Sequence, residues 1–110
     1  MNLKLRSVGD VIATRKLHLL SKRGPSSNVS VLLGKPRRTP NRKDYFCPCQ
    51  IKGIGSEKIT YAVGIDPFQA IQLAIFHLGW TLDLLNKKTG GRLRWEGDER
   101  GGPGLPTKPN

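Results

Sequence analysis

The sequence predicts an α+β domain. Its core is a four-stranded antiparallel sheet with one long helix packed across one face, and a short fifth strand is available after the helix. Three observations predict this. Four segments before residue 66 alternate apolar and polar residues with a period of two. Short connections carrying Gly and Pro join them, as an antiparallel meander requires. One segment, Asp66 to Asn86, shows the 3.6-residue apolar period and signals at both helix ends. Strands in succession followed by a single helix give a two-layer arrangement.

The first strand is read at Val11–Ser21, with Val11, Ala13, Leu17 and Leu19 on one side and Thr14, Lys16 and His18 on the other. SKRGPSS turns the chain. Asn28–Gly34 alternates again, with Val29, Val31 and Leu33 inward. GKPRRTPNRKD then holds two prolines and five cations, and is read as a long mobile basic loop because proline cannot donate to a central ladder. Tyr45–Lys52 is the third strand, with Tyr45, Cys47, Cys49 and Ile51 sharing a face and Pro48 marking an edge or a bulge. Gly53-Ile54-Gly55-Ser56 makes a hairpin connection. Glu57–Ile65 is the fourth strand, with Ile59, Tyr61, Val63 and Ile65 inward. The outer face of this sheet carries Lys16, His18, Gln50, Lys52, Lys58 and Thr60, with Phe46 among them, and is a solvated or a binding surface.

The helix is marked at both ends. Asp66 serves as N-cap, Pro67 has no N–H to lose in the first turn, and Gln69 stands where a capping side chain reaches back. Lys87 and Lys88 suit the negative end of the dipole, and Gly90 and Gly91 supply a left-handed stop. At about 100° per residue, Phe68, Ile71, Ala74, Ile75, Leu78, Leu82 and Leu85 form the face toward the sheet. Leu73, Phe76 and Trp80 form a second apolar stripe on the opposite side. Either a terminal segment covers it or a protein partner does, since Trp and Phe favour interface centres. Gly79 thins the helix beside Trp80 and admits a second backbone. Arg92–Glu96 can add a strand or cover an edge. The expected organisation is a flexible arm over 1–9, one domain over 10–96 and a disordered Gly/Pro-rich tail over 97–110.

Composition narrows the function. The chain has 110 residues, one small domain, and 36% apolar residues. Lys plus Arg number 19 against 8 for Asp plus Glu, a net charge of +11. The excess is uneven, because residues 1–44 carry 11 basic and 2 acidic residues. An electropositive half suits a polyanionic partner. No apolar run approaches a membrane span and no apolar stretch near the N-terminus reads as a signal peptide, so a cytoplasmic protein without a membrane role is expected.

No catalytic set stands out. Neither a Ser elbow, a phosphate loop nor a His pair at metal spacing is present, so a non-enzymatic role is expected, with no cofactor and no metal. Cys47 and Cys49 put two sulfurs on one strand face, but there is no second cysteine pair, and a bridge across two residues would be strained. They read as small buried hydrophobes, with metal binding and redox chemistry as alternatives. His77 reads as a packed or solvated side chain. Lys35, Arg37, Arg38, Arg42 and Lys43 could contact phosphates, with Tyr45 and Phe46 near enough to stack bases.

Ile12-Ala13-Thr14-Arg15-Lys16-Leu17, Cys47 to Ile51, Gly64/Asp66/Gln69/Ala70 and Gly91/Leu93/Trp95 together resemble a family of small uncharacterised bacterial proteins. The likeness covers roughly residues 10–96. Such chains end in a Gly-Phe-Pro-like segment, here Gly104-Leu105-Pro106 without the aromatic. The resemblance implies domain limits and carries no activity. A likeness to small antitoxins rests on topology alone. The expected role is protein binding or self-association through Leu73, Phe76 and Trp80, a homodimer being one form of it. The alternatives are nucleic-acid binding through the basic half and an antitoxin- or immunity-like role.

Overall fold

The computed structural model of the protein describes residues 3–40, 42–95 and 104–106. The elements run β1 (Val11–Leu19), β2 (Ser27–Gly34), β3 (Arg37–Arg38), β4 (Tyr45–Lys52), β5 (Thr60–Gly64), α1 (Pro67–Lys88) and β6 (Leu93–Trp95). Every strand pairing is antiparallel, and α1 lies against one sheet face, so the fold is α+β. Across the sheet the order is β5, β4, β2, β1, β6, with β3 beside β4 on the β2 side. The post-helix segment does add a strand, pairing Leu93–Trp95 with Leu17–Leu19.

The basic stretch after Gly34 is a hairpin rather than a long loop. Between the pairs Leu33↔Cys49 and Arg37↔Phe46 the chain advances four residues on one strand and three on the other. That excess residue is a β-bulge, so β2 and β3 form one interrupted strand. Pro48, which has no ladder donor, stands opposite the interruption, and this is how a proline sits in a strand flanked on both sides. The turn is closed by Thr39, whose N–H donates to the Asp44 carbonyl at 3.0 Å and whose hydroxyl donates to the Asp44 carboxylate.

The core lies between α1 and the odd-numbered residues of the central strands. Leu17, Val29, Val31, Leu33, Cys47, Cys49 and Ile51 meet Ala70, Ala74, Leu78 and Leu82. The helix start is as the end signals predict: Asp66 accepts from the Gln69 N–H at 2.8 Å, and the Gln69 side chain accepts from the Ile65 N–H at 2.8 Å. Three expectations about facing fail here. In β5 it is Thr60, Ala62 and Gly64 that face the helix, since they pair with Cys49, Cys47 and Tyr45; Tyr61 and Val63 face away, and Ile65 is 77% exposed. The reason is the tight β5–α1 connection: a side chain at Gly64 would strike the Ala70 and Gln69 backbone. Phe68 is likewise 77% exposed. It stands two residues from buried Ala70, hence on nearly the opposite side of the helix. Val11 and Ala13 are also exposed, because α1 covers β5, β4 and part of β2 but not that end of β1.

The described parts of the chain ends make contacts with the domain. Residues 3–10 cross the outer sheet face. Val8 is buried against Gly34 and Pro48, and the Leu3 N–H donates to the Tyr61 hydroxyl at 3.1 Å. Phe46, expected on a polar surface, is thereby buried, with Tyr61 edge-on at 6.2 Å between ring centres. Of the tail, Gly104–Pro106 is packed onto the domain; residues 97–103 and 107–110 lie outside the described residues.

Candidate functional site

The outer line of α1 is an apolar stripe left open among the described residues. Trp80 is 55% exposed, Leu73 38% and Leu84 40%, with Phe76 half-buried between them. Leu84 was missed by the sequence reading, although its place four residues after Trp80 is the signal that extends the stripe. The line itself carries no charge, and Lys88, exposed four residues after Leu84, is the flanking cation outside the one ion pair. Gln69 and Gln72 border one end, and Asp83 and Lys87 pair at 3.1 Å at the other. His77 borders the middle; its Nε2 is 3.1 Å from the Thr60 hydroxyl, and burial pushes its pKa below the ordinary 6.5, so the ring is neutral at pH 7.

Gly79 does admit a second backbone, and that backbone is the chain's own. A side chain at Gly79 would run into the Pro106 carbonyl oxygen. Arg15 holds the same segment from the sheet side: its Nη1 donates to the Gly104 carbonyl at 2.9 Å while its guanidinium lies 4.0 Å over the Trp95 ring. Gly104, at φ +73°, lies so close to the Trp95 ring that no side chain fits. Arg15, Gly79, Trp95 and the Gly104–Pro106 segment therefore converge from four separate stretches of sequence. Beside Leu105 a groove of about 140 Å³ is left between β1 and α1, lined by Ala13, Val31, Leu33, Ile75 and Leu78.

The cationic stretch does not make one surface. Arg37 and Arg38 are neighbours in a strand and so point to opposite faces, Arg37 stacking 5.0 Å over Phe46 and Arg38 5.9 Å over Tyr45. Arg42 is held by Asp44 at 3.2 Å. Lys35 and Lys43 are exposed, one at the bulge and the other in the turn. The ring of Phe46 is buried and that of Tyr45 half-buried under these cations, so neither offers a free face for a base.

Cys47 and Cys49 are free thiols, wholly buried among the core residues. Burial, with the neighbouring Cys49 adding to it, pushes the Cys47 pKa up to about 11. Cys47 donates to the Gly34 carbonyl at 3.2 Å. Cys49 lies 3.3 Å from the Thr60 hydroxyl, which also meets His77, so a chain of three polar groups ties sheet to helix. Desolvation raises the Cys49 pKa as well, so both sulfurs are held as thiols rather than as nucleophilic thiolates. Among the described residues, no three His, Cys, Asp or Glu side chains are grouped to hold a metal ion, and no helix is long and apolar enough to cross a membrane.

Neither the curated proteins nor the solved structures hold a match to this chain. A family model does match, over residues 13–107, and so takes in both Arg15 at one end and the docked Gly104–Pro106 segment at the other. The matched span thus includes the tail segment, and the chain belongs to the family described as a domain of unknown function (DUF6968).

Proposed function

We propose that this domain is a self-associating interaction module, in which two copies meet through the outer faces of α1. The observation that carries this is an apolar, uncharged line on a chain of net charge +11. Two such chains repel wherever cations face each other. The Leu73–Phe76–Trp80–Leu84 line is a place where they can touch without that penalty. Its spacing is also self-complementary. The intervals of three, four and four residues read almost alike in both directions, so an antiparallel two-fold helix pair sets Leu73 against the partner's Leu84 and the aromatics against each other.

Sedimentation velocity over a concentration series tests the proposal. The wild type should sediment as two chains and Trp80→Asp as one, with unchanged far-UV circular dichroism because Trp80 lies outside the core. Loss of a central Trp anchor costs at least ~2 kcal/mol, roughly thirtyfold in affinity. Phe68→Asp, which changes an exposed aromatic off the line, should leave the dimer intact. A wild type that stays a single chain at its highest soluble concentration would overturn the reading, as would equal dissociation by Phe68→Asp.

A further inference from the structure

The face of the sheet opposite α1 divides into two halves. The upper half is covered by residues 3–10 over Gly34, Phe46, Pro48 and Tyr61. The lower half is bare and polar. In register across β1, β2 and β4, Lys16 stands opposite Ser30, and Ser30 opposite Lys52. The next row places Arg94, His18 and Asn28 side by side on β6, β1 and β2. With strands about 4.8 Å apart, Lys16 and Lys52 are roughly 10 Å from one another with a hydroxyl between. Among the described residues, these four strands carry no carboxylate.

Two further sets of cations border this surface. The covering arm alternates, with Leu3, Leu5 and Val8 turned in and Lys4 and Arg6 exposed. Arg37, stacked on Phe46, faces the same way. Arg94 spends one guanidinium nitrogen on the Gly91 and Leu93 carbonyls and keeps donors to spare. Acidic groups nearby are Asp10, in the arm, and Glu57, which is next to Lys58 in the loop that Gln50 holds through the Glu57 carbonyl.

We infer that this bare half-face, with the arm beside it, binds the phosphate backbone of nucleic acid without reading base sequence. Charge complementarity selects a polyanion. The interleaving of lysines with Ser30, Asn28 and Thr14 suits phosphate oxygens, which accept from both kinds of donor. A lipid surface fits less well, because the described strands of the bare half present mainly cationic and polar side chains, Leu32 is half-buried, and Leu20, just past the end of β1, is a single exposed apolar side chain rather than an insertable patch. Stacked bases fit less well too, since Phe46 and Tyr61 lie under the arm. The site is on the far side of the sheet from the proposed self-association line, so the two readings stand or fall separately.

The test is fluorescence anisotropy of the full chain with labelled single-stranded and duplex oligonucleotides of unrelated sequences, over a salt series. Four phosphate contacts would weaken binding roughly a hundredfold between 50 and 200 mM salt. Lys16→Gln/Lys52→Gln should flatten the log–log salt slope by about two while the circular dichroism is unchanged. Lys43→Gln/Lys88→Gln removes the same charge from the turn and the helix end, and should leave the slope as it is. No binding at low salt would overturn the inference. So would an equal loss in the control variant, or tighter binding to polyglutamate or to vesicles of anionic phospholipid than to the oligonucleotides.

Discussion

Leu105 sits where the resemblance leads one to expect an aromatic, and the groove of about 140 Å³ beside it is the space that such a ring would take. Leu105→Phe should therefore stabilise the fold by roughly 0.5–2 kcal/mol, the range for filling a cavity without strain, read as a higher urea midpoint with an unchanged slope. Cys47 gives a second prediction. Its folded pKa lies near 11 against an ordinary 9.0, so between those values the unfolded chain loses a proton that the folded one keeps. Stability is full below pH 9 and is lost as pH rises toward 11, by roughly 2–3 kcal/mol. Lysines and tyrosines titrate in the same window, so the quantity to measure is the stability difference between wild type and Cys47→Ala, which should shrink over it. The shift at His77 runs the other way: its folded pKa is lowered, so stability is full above pH 6.5 and falls as pH drops through 6.5 toward the folded value. His77→Gln should remove that acid slope.

Between elements, small residues decide how closely things pack. Gly64 lets α1 start immediately behind β5, Ala70 and Ala74 bring the helix down onto Cys47 and Cys49, and Gly79 admits the tail. Gly79→Ala separates two effects. The helix gains about 0.8–1.0 kcal/mol of intrinsic propensity, while the new methyl displaces Pro106. The expected outcome in a Trp80→Phe background is a red shift of Trp95 emission, as Gly104 lifts off its ring, with helix content retained. The N-terminal arm acts as a cover for the second, smaller apolar cluster. Deleting residues 1–9 removes buried Val8 and uncovers Phe46, which should lower stability by roughly 2–3 kcal/mol and raise dye binding to exposed apolar surface. The alternation Leu3, Lys4, Leu5, Arg6 was a readable strand-like signal for that cover.

Taken whole, the molecule is polarised. One side presents a neutral apolar line on α1, the other a sheet face with cations and, on its strands, no described carboxylate. Salt therefore acts with opposite sign on the two proposed contacts. Raising it screens the repulsion between two +11 chains, so self-association should hold or tighten, while nucleic-acid binding should collapse. Sedimentation and anisotropy on the same salt series read both at once.

How much of this was legible depended on whether a signal was local. The cap at Asp66, the alternation of Val29, Val31 and Leu33, and the second apolar side of α1 each follow from spacing along one segment, so the α+β architecture and the Leu73–Phe76–Trp80 stripe could be read directly. The facing of β5 could not. Its larger apolar residues, Tyr61 and Val63, point away from the helix because Gly64 must face it, and they find a second apolar cluster under an arm that lies more than fifty residues earlier in the chain. The basic hairpin looked like one surface because its cations are adjacent in sequence, and the strand's period of two divides them between faces. By itself the sequence determined the helix, the four longer strands before it and a second apolar stripe on the helix, but neither the two-residue strand β3 nor whether that stripe would lie open. Tertiary structure alone decided that Arg15, Gly79 and Trp95 would hold Gly104–Pro106, because contact between groups so far apart in the chain depends on how the layers stack, not on any period that one segment carries.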